Sequence, residues 1–332
     1  MNPGFWRGKR VLLTGHTGFK GAWLSLWLER CGASVTGFAL APPTSPSLFD
    51  LAGVAAGLAH VEGDVRDLGA LRAAVARAEP DVAIHMAAQS LVRLSYEQPS
   101  ETYATNVQGT ANFLEALRTA AGARVAIVVT SDKCYRSRPD ADGYREGDPL
   151  GGHDPYSNSK ACAELVTGCY RDAFFSTPGG LALASVRAGN VVGGGDWAKD
   201  RLVPDILKAL AQGRAPEIRY PDAVRPWQHV LEPLGGYLLL AEKLWQDPSL
   251  AGPWNFGPSR DDEKPVRWIV ERLQAGLAAP APWKPQPGQH PKEAEALRLD
   301  SGKARAGLGW KPRWALGRAL DAIMEWQRGY LA

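Results

Sequence analysis

Residues 11–21 read VLLTGHTGFKG, an apolar run followed by three glycines, Gly15, Gly18 and Gly21. Residues 22–28 then place apolar side chains at helical spacing, so the stretch predicts a strand, a tight turn and a helix. Glycines at such a turn let the backbone approach a pyrophosphate, and the N–H groups at the positive end of the helix dipole bind its oxygens. We therefore predict a dinucleotide site. A plain strand–helix corner is the alternative, because 36 of the 332 residues are glycine.

Length and composition limit the kind of protein. A chain of 332 residues with 45% hydrophobic content can bury a large core, which predicts one doubly wound domain and a smaller second lobe. A net charge of +3 predicts no nucleic-acid partner. The N-terminal stretch MNPGFWRGKR lacks a signal-peptide core and no segment has transmembrane length, so we expect a cytoplasmic protein without a membrane partner. The four cysteines lack metal-ligand spacing, so no metal site is predicted.

The end of the second predicted strand, residues 34–40, bears on the choice of cofactor. An acidic residue there binds the adenosine ribose, whereas a basic one binds the extra phosphate of NADP. Residues 41–44, Ala-Pro-Pro-Thr, offer neither, and no Lys or Arg occurs between residues 30 and 66. His16 and Lys20 are the alternative partners for a 2′-phosphate. The sequence therefore favours NAD.

Two further strands are predicted at the same edge. The first covers residues 58–65, and Asp64 near its end either accepts a hydrogen bond from the adenine amino group or caps a helix. The second covers residues 81–86 and runs into Ala87-Ala88-Gln89, where small side chains leave room for a cofactor ribose.

The candidate chemistry follows in the next fifty residues. A β-rich run at residues 124–129 delivers Thr130-Ser131-Asp132-Lys133 to the carboxyl end of a parallel strand, where doubly wound sheets bind ligands. This tetrapeptide is either an acid–base set or a polar turn. A helical pattern at residues 155–174 carries Tyr156 and Lys160 on one face, so the Lys160 ammonium is expected to lower the pKa of Tyr156 toward neutrality.

These pieces, in this order, resemble the extended short-chain dehydrogenase/reductase family over essentially the whole chain. The resemblance implies an α/β fold, a doubly wound parallel sheet of the Rossmann type with a smaller C-terminal substrate lobe, and NAD as cofactor. It implies a dinucleotide-binding domain at residues 1–180 and a mainly substrate-binding lobe at 181–332, interleaved with the last strands of the sheet. By motif, the catalytic set falls on Ser131, Tyr156 and Lys160.

The remaining family positions concern the relay and the cofactor. Asn106, in a helical stretch predicted at residues 97–117, matches the asparagine of the family's relay, although a mid-helix Asn is more often solvent-facing or bonded to its own helix. The residues assigned to the cofactor are Gly15, Thr17, Gly18, Phe19, Gly21, Asp64, Val65, Ala87, Ala88, Gln89, Tyr156 and Lys160.

Longer segments narrow the resemblance to one branch of the family, the CDP-glucose 4,6-dehydratases. Most sugar-nucleotide 4,6-dehydratases carry Asp-Glu after the hydroxyl residue, whereas this chain has Asp132-Lys133, as the CDP-glucose branch does. The matching segments are TGHTGFKG at 14–21, HMAAQSLVRLSYEQP at 85–99, TSDKCY at 130–135, VRAGNVVGGGDWAKDRLVPDI at 186–206 and RPWQHVLEPL at 225–234.

That resemblance implies NAD-dependent dehydration of CDP-D-glucose to CDP-4-dehydro-6-deoxy-D-glucose. Tyr156 takes the O4 proton while C4 gives hydride to NAD⁺, and Ser131 hydrogen-bonds O4. Asp132 protonates the departing C6 hydroxyl and the hydride returns to C6, while Lys133 is either the C5 base or a stabiliser of the enolate. One alternative is an epimerase or 4-reductase of the same family, which needs no acid at Asp132. The other is a non-catalytic dinucleotide-sensing protein, which would be expected to lack Tyr156 or Lys160.

The second half supplies the candidates for substrate binding. Residues 190–197, NVVGGGDW, predict a loop that closes over a ligand. Arginine pairs with phosphate through two parallel hydrogen bonds, so arginines near this loop are candidates for the substrate pyrophosphate. The predicted substrate-binding residues are Arg187, Asn190, Arg201 and Arg225.

Two last expectations rest on the resemblance. The helices that begin near Glu97 and Pro155 form a four-helix dimer interface in this family, so we expect a homodimer or a higher homo-oligomer. His290-Pro291 and Glu293-Ala294 match a late family motif, but Ala296 stands where relatives often have an aromatic residue.

Overall fold

The computed structural model describes residues 1–120, 122–138, 142–177, 179–278, 282–288 and 297–332. The late motif at residues 290–296 lies outside them. The strands are β1 (Arg10–Thr14), β2 (Ser34–Ala39), β3 (Ala59–Glu62), β4 (Val82–His85), β5 (Val125–Val129), β6 (Ala182–Arg187), β7 (Val191–Val192), β8 (Glu217–Ile218), β9 (Val224–Pro226), β10 (Gln228–His229), β11 (Gly252–Asn255), β12 (Glu263–Pro265) and β13 (Lys284–Pro285).

The helices alternate with these strands through the first half of the chain. The α-helices are α1 (Pro3–Trp6), α2 (Phe19–Arg30), α3 (Leu48–Leu51), α4 (Leu68–Ala78), α5 (Val92–Glu97), α6 (Pro99–Tyr103), α7 (Gly109–Arg118), α8 (Pro155–Tyr170), α9 (Leu202–Ala211), α10 (Leu231–Gln246), α11 (Val266–Gly276), α12 (Gly302–Leu308) and α13 (Leu316–Leu331). Two π-helical segments, Ala104–Gln108 and Arg171–Phe175, continue α6 and α8.

Seven strands form one parallel sheet in the order β11-β6-β5-β4-β1-β2-β3. The chain leaves β1 toward β2 and β3 on one side and then resumes with β4 on the other, so the strand order reverses between β1 and β4. Ligands of doubly wound sheets bind at such a switch point, beyond the carboxyl ends of the strands. The predicted doubly wound α/β fold is confirmed. β6 and β11 join the sheet from the C-terminal half, and the division near residue 180 stays a prediction.

Alternation along the strands explains how the sheet is buried on both faces. In β1, Val11 and Leu13 face one layer, where they cluster with α2 and α10, whereas Leu12 faces the other layer with α4 and α7. Side chains on a strand alternate between the faces, so an apolar run of this kind is required when helices cover both. The two layers hold β1 rigidly below the glycine turn.

A second, smaller core lies outside the sheet. It is formed by α9, α11 and α13, which bury Ile206, Ile269 and Ile323 against one another. The stretch predicted as one loop at residues 190–197 contains β7, which pairs with β10, so its first residues are fixed rather than free.

The two long helices of the first half differ in detail from the prediction. The first starts at Pro99, because Gln98 lies outside the helical region, with φ −132° and ψ 62°, and a residue before proline is biased away from that region. It then runs through the π segment to Arg118. The second, predicted at residues 155–174, is confirmed as α8 and its π continuation.

In the described part of the chain, no helix has the length and apolar character needed to cross a bilayer. The cytoplasmic location stays a prediction.

Candidate active site

The glycine turn after β1 is packed too closely for a side chain at Gly15 or at Gly21. Gly15 has φ +77°, and a Cβ there would lie 2.6 Å from the backbone nitrogen of Ala87. A Cβ on Gly21 would lie 2.1 Å from the carbonyl oxygen of Gly15. Gly18 caps α2 without a side-chain hydrogen bond, so the first N–H groups of the helix are left for a ligand. The turn therefore fits a bound pyrophosphate.

The neighbouring strand end is fixed by two buried polar side chains. Thr14 Oγ1 accepts hydrogen bonds from the backbone nitrogens of Met86 and Ala87, at 3.1 and 3.2 Å. Asn106 clamps Gln89: its Oδ1 accepts from the Gln89 nitrogen at 2.8 Å, and its Nδ2 donates to the Gln89 carbonyl at 2.9 Å. Asn106 Nδ2 also reaches Ser159 Oγ at 2.9 Å, which joins this edge to α8. Asn106 thus faces inward from the π segment and holds the backbone at Gln89, while Thr14 holds it at Ala87.

The two alternative partners for a 2′-phosphate are otherwise engaged. His16 is fully buried, with Nε2 2.7 Å from Nδ1 of His60, and burial together with that neighbour lowers its pKa to about 4. A neutral His16 cannot pair with a phosphate by charge. Lys20 instead donates to the hydroxyl of Tyr237 at 3.2 Å, and burial lowers its pKa to about 7. Both observations favour NAD over NADP.

Four other predicted cofactor residues line the same edge. Thr17 Oγ1 donates to the Leu40 carbonyl at 2.9 Å. Phe19 lies against residue 193, and Val65 lies against residue 109. Asp64 accepts from the Arg66 backbone nitrogen at 2.9 Å, and the following helix is capped by Asp67 instead. The helix-cap interpretation of Asp64 is therefore wrong, and its contact with adenine stays a prediction.

Ser131, Asp132 and Lys133 form the first turn after β5, as the sequence predicts. The Ser131 hydroxyl donates to Asp132 Oδ1 at 3.1 Å and accepts from the Lys133 backbone nitrogen at 3.2 Å. Asp132 is buried, and its Oδ2 has no hydrogen-bond partner among the described residues. A buried carboxylate oxygen is costly to leave unpaired, so this one is available to a ligand. Lys133 is half-buried.

Tyr156 and Lys160 lie on the inner face of α8, both buried. The pKa of Tyr156 is raised to about 12, because burial outweighs its hydrogen bond with Ser131. The Lys160 ammonium donates to the Val129 carbonyl at 3.2 Å. For the chain by itself, the prediction that Lys160 brings the pKa of Tyr156 toward neutrality is therefore wrong. Burial dominates, and the Lys160 charge is itself weakened, since burial lowers its pKa to about 8.

On the substrate side, the backbone places Gly189, the residue before Asn190, directly beside Asp132. A Cβ on Gly189 would lie 2.0 Å from Asp132 Oδ2, and Asn190 follows with φ +24°. The Oδ1 atom of Asn190 is buried and, among the described residues, has no hydrogen-bond partner. Arg225 is also buried, and its Nη1 donates to the Val224 carbonyl at 2.9 Å.

Arg201 bridges the two halves of the chain. Its Nη1 donates to Asp196 Oδ2 at 3.0 Å and its Nη2 to Ser90 Oγ at 2.8 Å. Its charge also acts to lower the pKa of Tyr156, so its guanidinium lies near the catalytic edge.

Arg187, predicted to bind the substrate pyrophosphate, is committed elsewhere. Its Nη2 forms a buried ion pair with Glu164 Oε2 at 2.7 Å. Its Nη1 donates to the Tyr135 hydroxyl at 2.7 Å and to the Glu146 carbonyl at 3.0 Å. With both terminal nitrogens engaged, Arg187 has no face for a bidentate phosphate contact, so the structure contradicts that prediction. The sequence analysis missed Glu164, although it lies one further helical turn beyond Tyr156 and Lys160.

The sequence model of the NAD dependent epimerase/dehydratase family matches residues 11–250. The chain belongs to this family. Its cofactor, NAD, is confirmed as predicted. A dTDP-glucose 4,6-dehydratase of Streptomyces venezuelae, solved with NAD bound, superposes with a TM-score of 0.82 at 26% identity, covering 96% of this chain and 97% of that one. A UDP-glucose 4-epimerase of Thermotoga maritima shares the fold, with a TM-score of 0.85 at 20% identity, covering 97% and 99%.

Similarity to curated proteins is higher for a dehydratase than for an epimerase. The chain is 49% identical to the CDP-glucose 4,6-dehydratase of Salmonella typhimurium, covering all of this chain and 94% of that protein. It is 28% identical to a UDP-glucose 4-epimerase of Streptomyces lividans, covering 97% of each. The resemblance inferred from the sequence motifs is confirmed.

Proposed function

We propose that the chain is an NAD-dependent hydro-lyase that converts CDP-D-glucose into CDP-4-dehydro-6-deoxy-D-glucose. The observation that carries the proposal is Asp132, a buried carboxyl beside Ser131 with one oxygen left unpartnered. Expulsion of a hydroxyl needs a proton donor, whereas epimerisation or 4-reduction expels none. The 49% identity to a CDP-glucose 4,6-dehydratase supports the same reaction and the same sugar nucleotide.

The cofactor is held mainly by backbone. The glycine turn and the first N–H groups of α2 receive the pyrophosphate, and the small residues Ala87 and Ala88, fixed by Thr14 and Asn106, leave room for a ribose. When bound, NAD⁺ supplies a reversible hydride acceptor and a positively charged ring that favours a neighbouring phenolate.

The side chains of the catalytic edge divide the proton transfers between them. Tyr156 accepts the proton of O4, and Ser131, which already interacts with Tyr156, hydrogen-bonds O4. Oxidation at C4 makes the C5 hydrogen acidic, because it then lies next to a carbonyl. Asp132 donates its proton to the C6 hydroxyl as that group leaves. Lys160, held at the Val129 carbonyl, adds positive charge on the same helix face.

Lys133 acts either as the C5 base or as a partner of the enolate oxygen. It follows Asp132 directly and is half-buried at the mouth of the site. The variant Lys133→Gln separates the two roles: loss of solvent deuterium exchange at C5 assigns it as the base. Exchange at the native rate, with slower overall turnover, assigns it to the enolate.

The substrate pyrophosphate and sugar are bound by Asn190, Arg201 and Arg225. Asn190, which follows the Gly189 contact with Asp132, contributes a buried amide oxygen, and Arg201 reaches across from the second half of the chain to Ser90. A guanidinium binds phosphate through paired N–H groups, which suits Arg201 and Arg225. Arg187 is left out of this set because its terminal nitrogens hold Glu164, Tyr135 and Glu146.

The chain forms a homodimer through α6 and α8. Tyr103, Leu165 and Phe174 are large apolar side chains exposed on these helices and on the π segment after α8. Antiparallel packing of such helices around a two-fold axis buries the same patch on both copies. Light scattering is expected to give twice the chain mass for the wild type and the single mass for Leu165→Glu. A matched change at another exposed leucine, Leu51→Glu, is expected to leave the dimer intact.

The experiment that tests the function is mass spectrometry of the purified protein with CDP-, dTDP- or GDP-glucose, each without added oxidant. The proposal predicts loss of one water from CDP-glucose, without accumulation of NADH. Dehydration of another sugar nucleotide in preference to CDP-glucose would contradict the substrate, and formation of an isomer without loss of water would contradict the reaction.

A further inference from the structure

A buried carboxylate outside the predicted catalytic set lies directly beneath it. Glu164 follows Tyr156 and Lys160 at four-residue intervals on α8, so the three side chains share one helix face. Its Oε1 accepts a short hydrogen bond from the Thr130 hydroxyl. Its Oε2 accepts from Ser185 Oγ and from Arg187 Nη2, each at 2.7 Å. One carboxylate thereby joins α8 to the end of β5 and to β6.

The contact with Thr130 is the one that reaches the chemistry. Thr130 immediately precedes Ser131 and Asp132, so its position fixes where the Thr130–Lys133 turn begins relative to α8. The Thr130 backbone nitrogen donates to the Val186 carbonyl at 2.9 Å, which ties the same point to β6. A displacement of about 1 Å between reacting groups can cost about a hundredfold in rate, so this register matters for turnover.

The ion pair itself is a weak source of net stability. Glu164 and Arg187 are both 3% exposed, and the desolvation of a buried pair offsets much of its attraction. Each hydrogen bond in the network, however, forms only when its donor and acceptor lie at the right distance and orientation. Arg187 extends the network to the Tyr135 hydroxyl, which in turn donates to Asn255 Oδ1 of β11 at 2.7 Å. Placement of the strands around the site is therefore what the pair provides.

Glu164 also places a negative charge near Lys160, one helical turn away on the same face of α8. Four titratable groups interact electrostatically with Lys160: Glu164 on its own helix, Cys134 on the turn after β5, His85 at the end of β4 and Lys20 on α2. Burial keeps Cys134 and His85 neutral, and Lys20 repels the ammonium. Of these four groups, Glu164 alone is an anion. It opposes the burial that lowers the pKa of Lys160 to about 8.

We infer that Glu164 is a positioning residue of the proposed dehydration: its carboxylate holds the Thr130–Lys133 turn in register with Tyr156 and supplies the negative charge that keeps Lys160 protonated. The inference rests on the proposed function for its kinetic consequences. Its electrostatic part holds for the chain whichever sugar nucleotide is the substrate.

The test compares three variants by pH profile and by thermal melting. Glu164→Gln keeps the side-chain length and an acceptor for Thr130 but removes the negative charge beside Lys160. The pKa of Lys160 then falls, so the alkaline limb of the kcat–pH profile is expected to move about one pH unit lower. Arg187→Lys is the matched control. It loses the forked contacts to Tyr135 and Glu146, so the melting temperature is expected to fall. Glu164 stays charged, so the alkaline limb of the kcat–pH profile is expected to stay at the wild-type pH. An unshifted limb in Glu164→Gln, or an equal shift in Arg187→Lys, overturns the electrostatic part.

The third variant, Thr130→Val, tests placement without changing any charge. It keeps the branched shape and removes the hydrogen bond to Glu164. The expected result is a kcat about ten- to a hundredfold lower with unchanged KM. The Thr130–Lys133 turn is then displaced relative to the reacting atoms, which weakens contacts made in the transition state and leaves substrate binding as it was. An unchanged kcat overturns the placement part.

A measurement without turnover separates this inference from the proposed function. In a ¹³Cε-lysine NMR titration, the Lys160 signal is assigned by its absence in Lys160→Met. Its midpoint is expected to fall by about one pH unit in Glu164→Gln and to remain in Arg187→Lys. Failure of the wild type to dehydrate CDP-glucose would overturn the function while leaving this titration decisive for Glu164.

Discussion

The glycine turn after β1 and the turn after β5 lie at the same edge of the sheet but are built in opposite ways. The first turn leaves no room for side chains at Gly15 and Gly21, where added Cβ atoms would meet backbone at 2.6 and 2.1 Å. Residues 130–133 instead bury polar side chains, and Asp132 keeps one oxygen unpartnered. The first turn binds through backbone that is already in place. The second turn works through proton transfer, which depends on the buried groups of α8 that pack against it.

This difference predicts how each region fails. A change in the glycine turn acts through packing and therefore lowers stability and cofactor binding together. A change in the turn after β5 acts through charge and proton transfer and can leave stability almost unchanged. The expected effects below run from the catalytic edge, where they are largest, to the buried histidine between the two regions.

The largest effect is expected at Asp132. Asp132→Asn keeps the shape and removes the proton donor, so kcat is expected to fall by about 10²–10⁴-fold, the range typical of a lost general acid. Melting temperature and NAD binding should stay near the wild-type values, and solvent deuterium should still enter at C5, because oxidation at C4 does not need this acid. Dehydration by Asp132→Asn at the native rate would remove Asp132 from the acid role.

A smaller, structural effect is expected in the glycine turn. Gly21→Ala forces a methyl group against the Gly15 carbonyl and is expected to lower the free energy of unfolding by about 1–3 kcal/mol, with weaker NAD binding. Gly18→Ala is the matched control, since its Cβ would lie 3.5 Å from the same oxygen, an ordinary contact. Denaturant melts should rank Gly21→Ala as the more damaging change. Equal losses would mean that the close approach does not limit this turn.

The smallest effect at neutral pH is expected from His85 at the end of β4, a strand that lies between β1 and β5 in the sheet. Its Nδ1 is 2.8 Å from Thr14 Oγ1. Burial lowers the pKa of His85 from 6.5 to about 3, so the folded protein keeps it neutral while the unfolded chain binds a proton below about pH 6.5. Stability is thus present above that pH and is lost as the pH falls, by about 1.4 kcal/mol per pH unit.

The variant His85→Gln tests this proton directly. Between about pH 6 and pH 4, the free energy of unfolding is expected to fall less steeply with falling pH than in the wild type. The difference in slope is expected to be about 1.4 kcal/mol per pH unit, which corresponds to one proton. A slope that is unchanged in His85→Gln would show that His85 does not carry this acid sensitivity.

Much of the fold could be read from the chain because short-range rules decide it. The run Val11–Leu13, the glycines after it and the four-residue spacing of Tyr156 and Lys160 each predict a local structure that the folded chain contains. The start of the helix at Pro99 could have been refined by the proline rule alone.

The parts of the site that could not be predicted depend on contacts between distant segments. A guanidinium suits phosphate, which predicts that role for Arg187, but its partner Glu164 is 23 residues away in sequence and the pairing exists only in the folded sheet. The helix face that Lys160 shares with Tyr156 predicts a lowered pKa for Tyr156, but burial raises it to about 12. Residue spacing gives proximity, whereas burial is a property of the whole fold.

The central claim is that hydride leaves C4 and returns to C6 within one active site. The most direct test uses CDP-glucose deuterated at C4, with the product analysed by NMR and mass spectrometry. The account predicts that the deuterium is found in the C6 methyl group of the product. A product methyl group without that label would contradict the account.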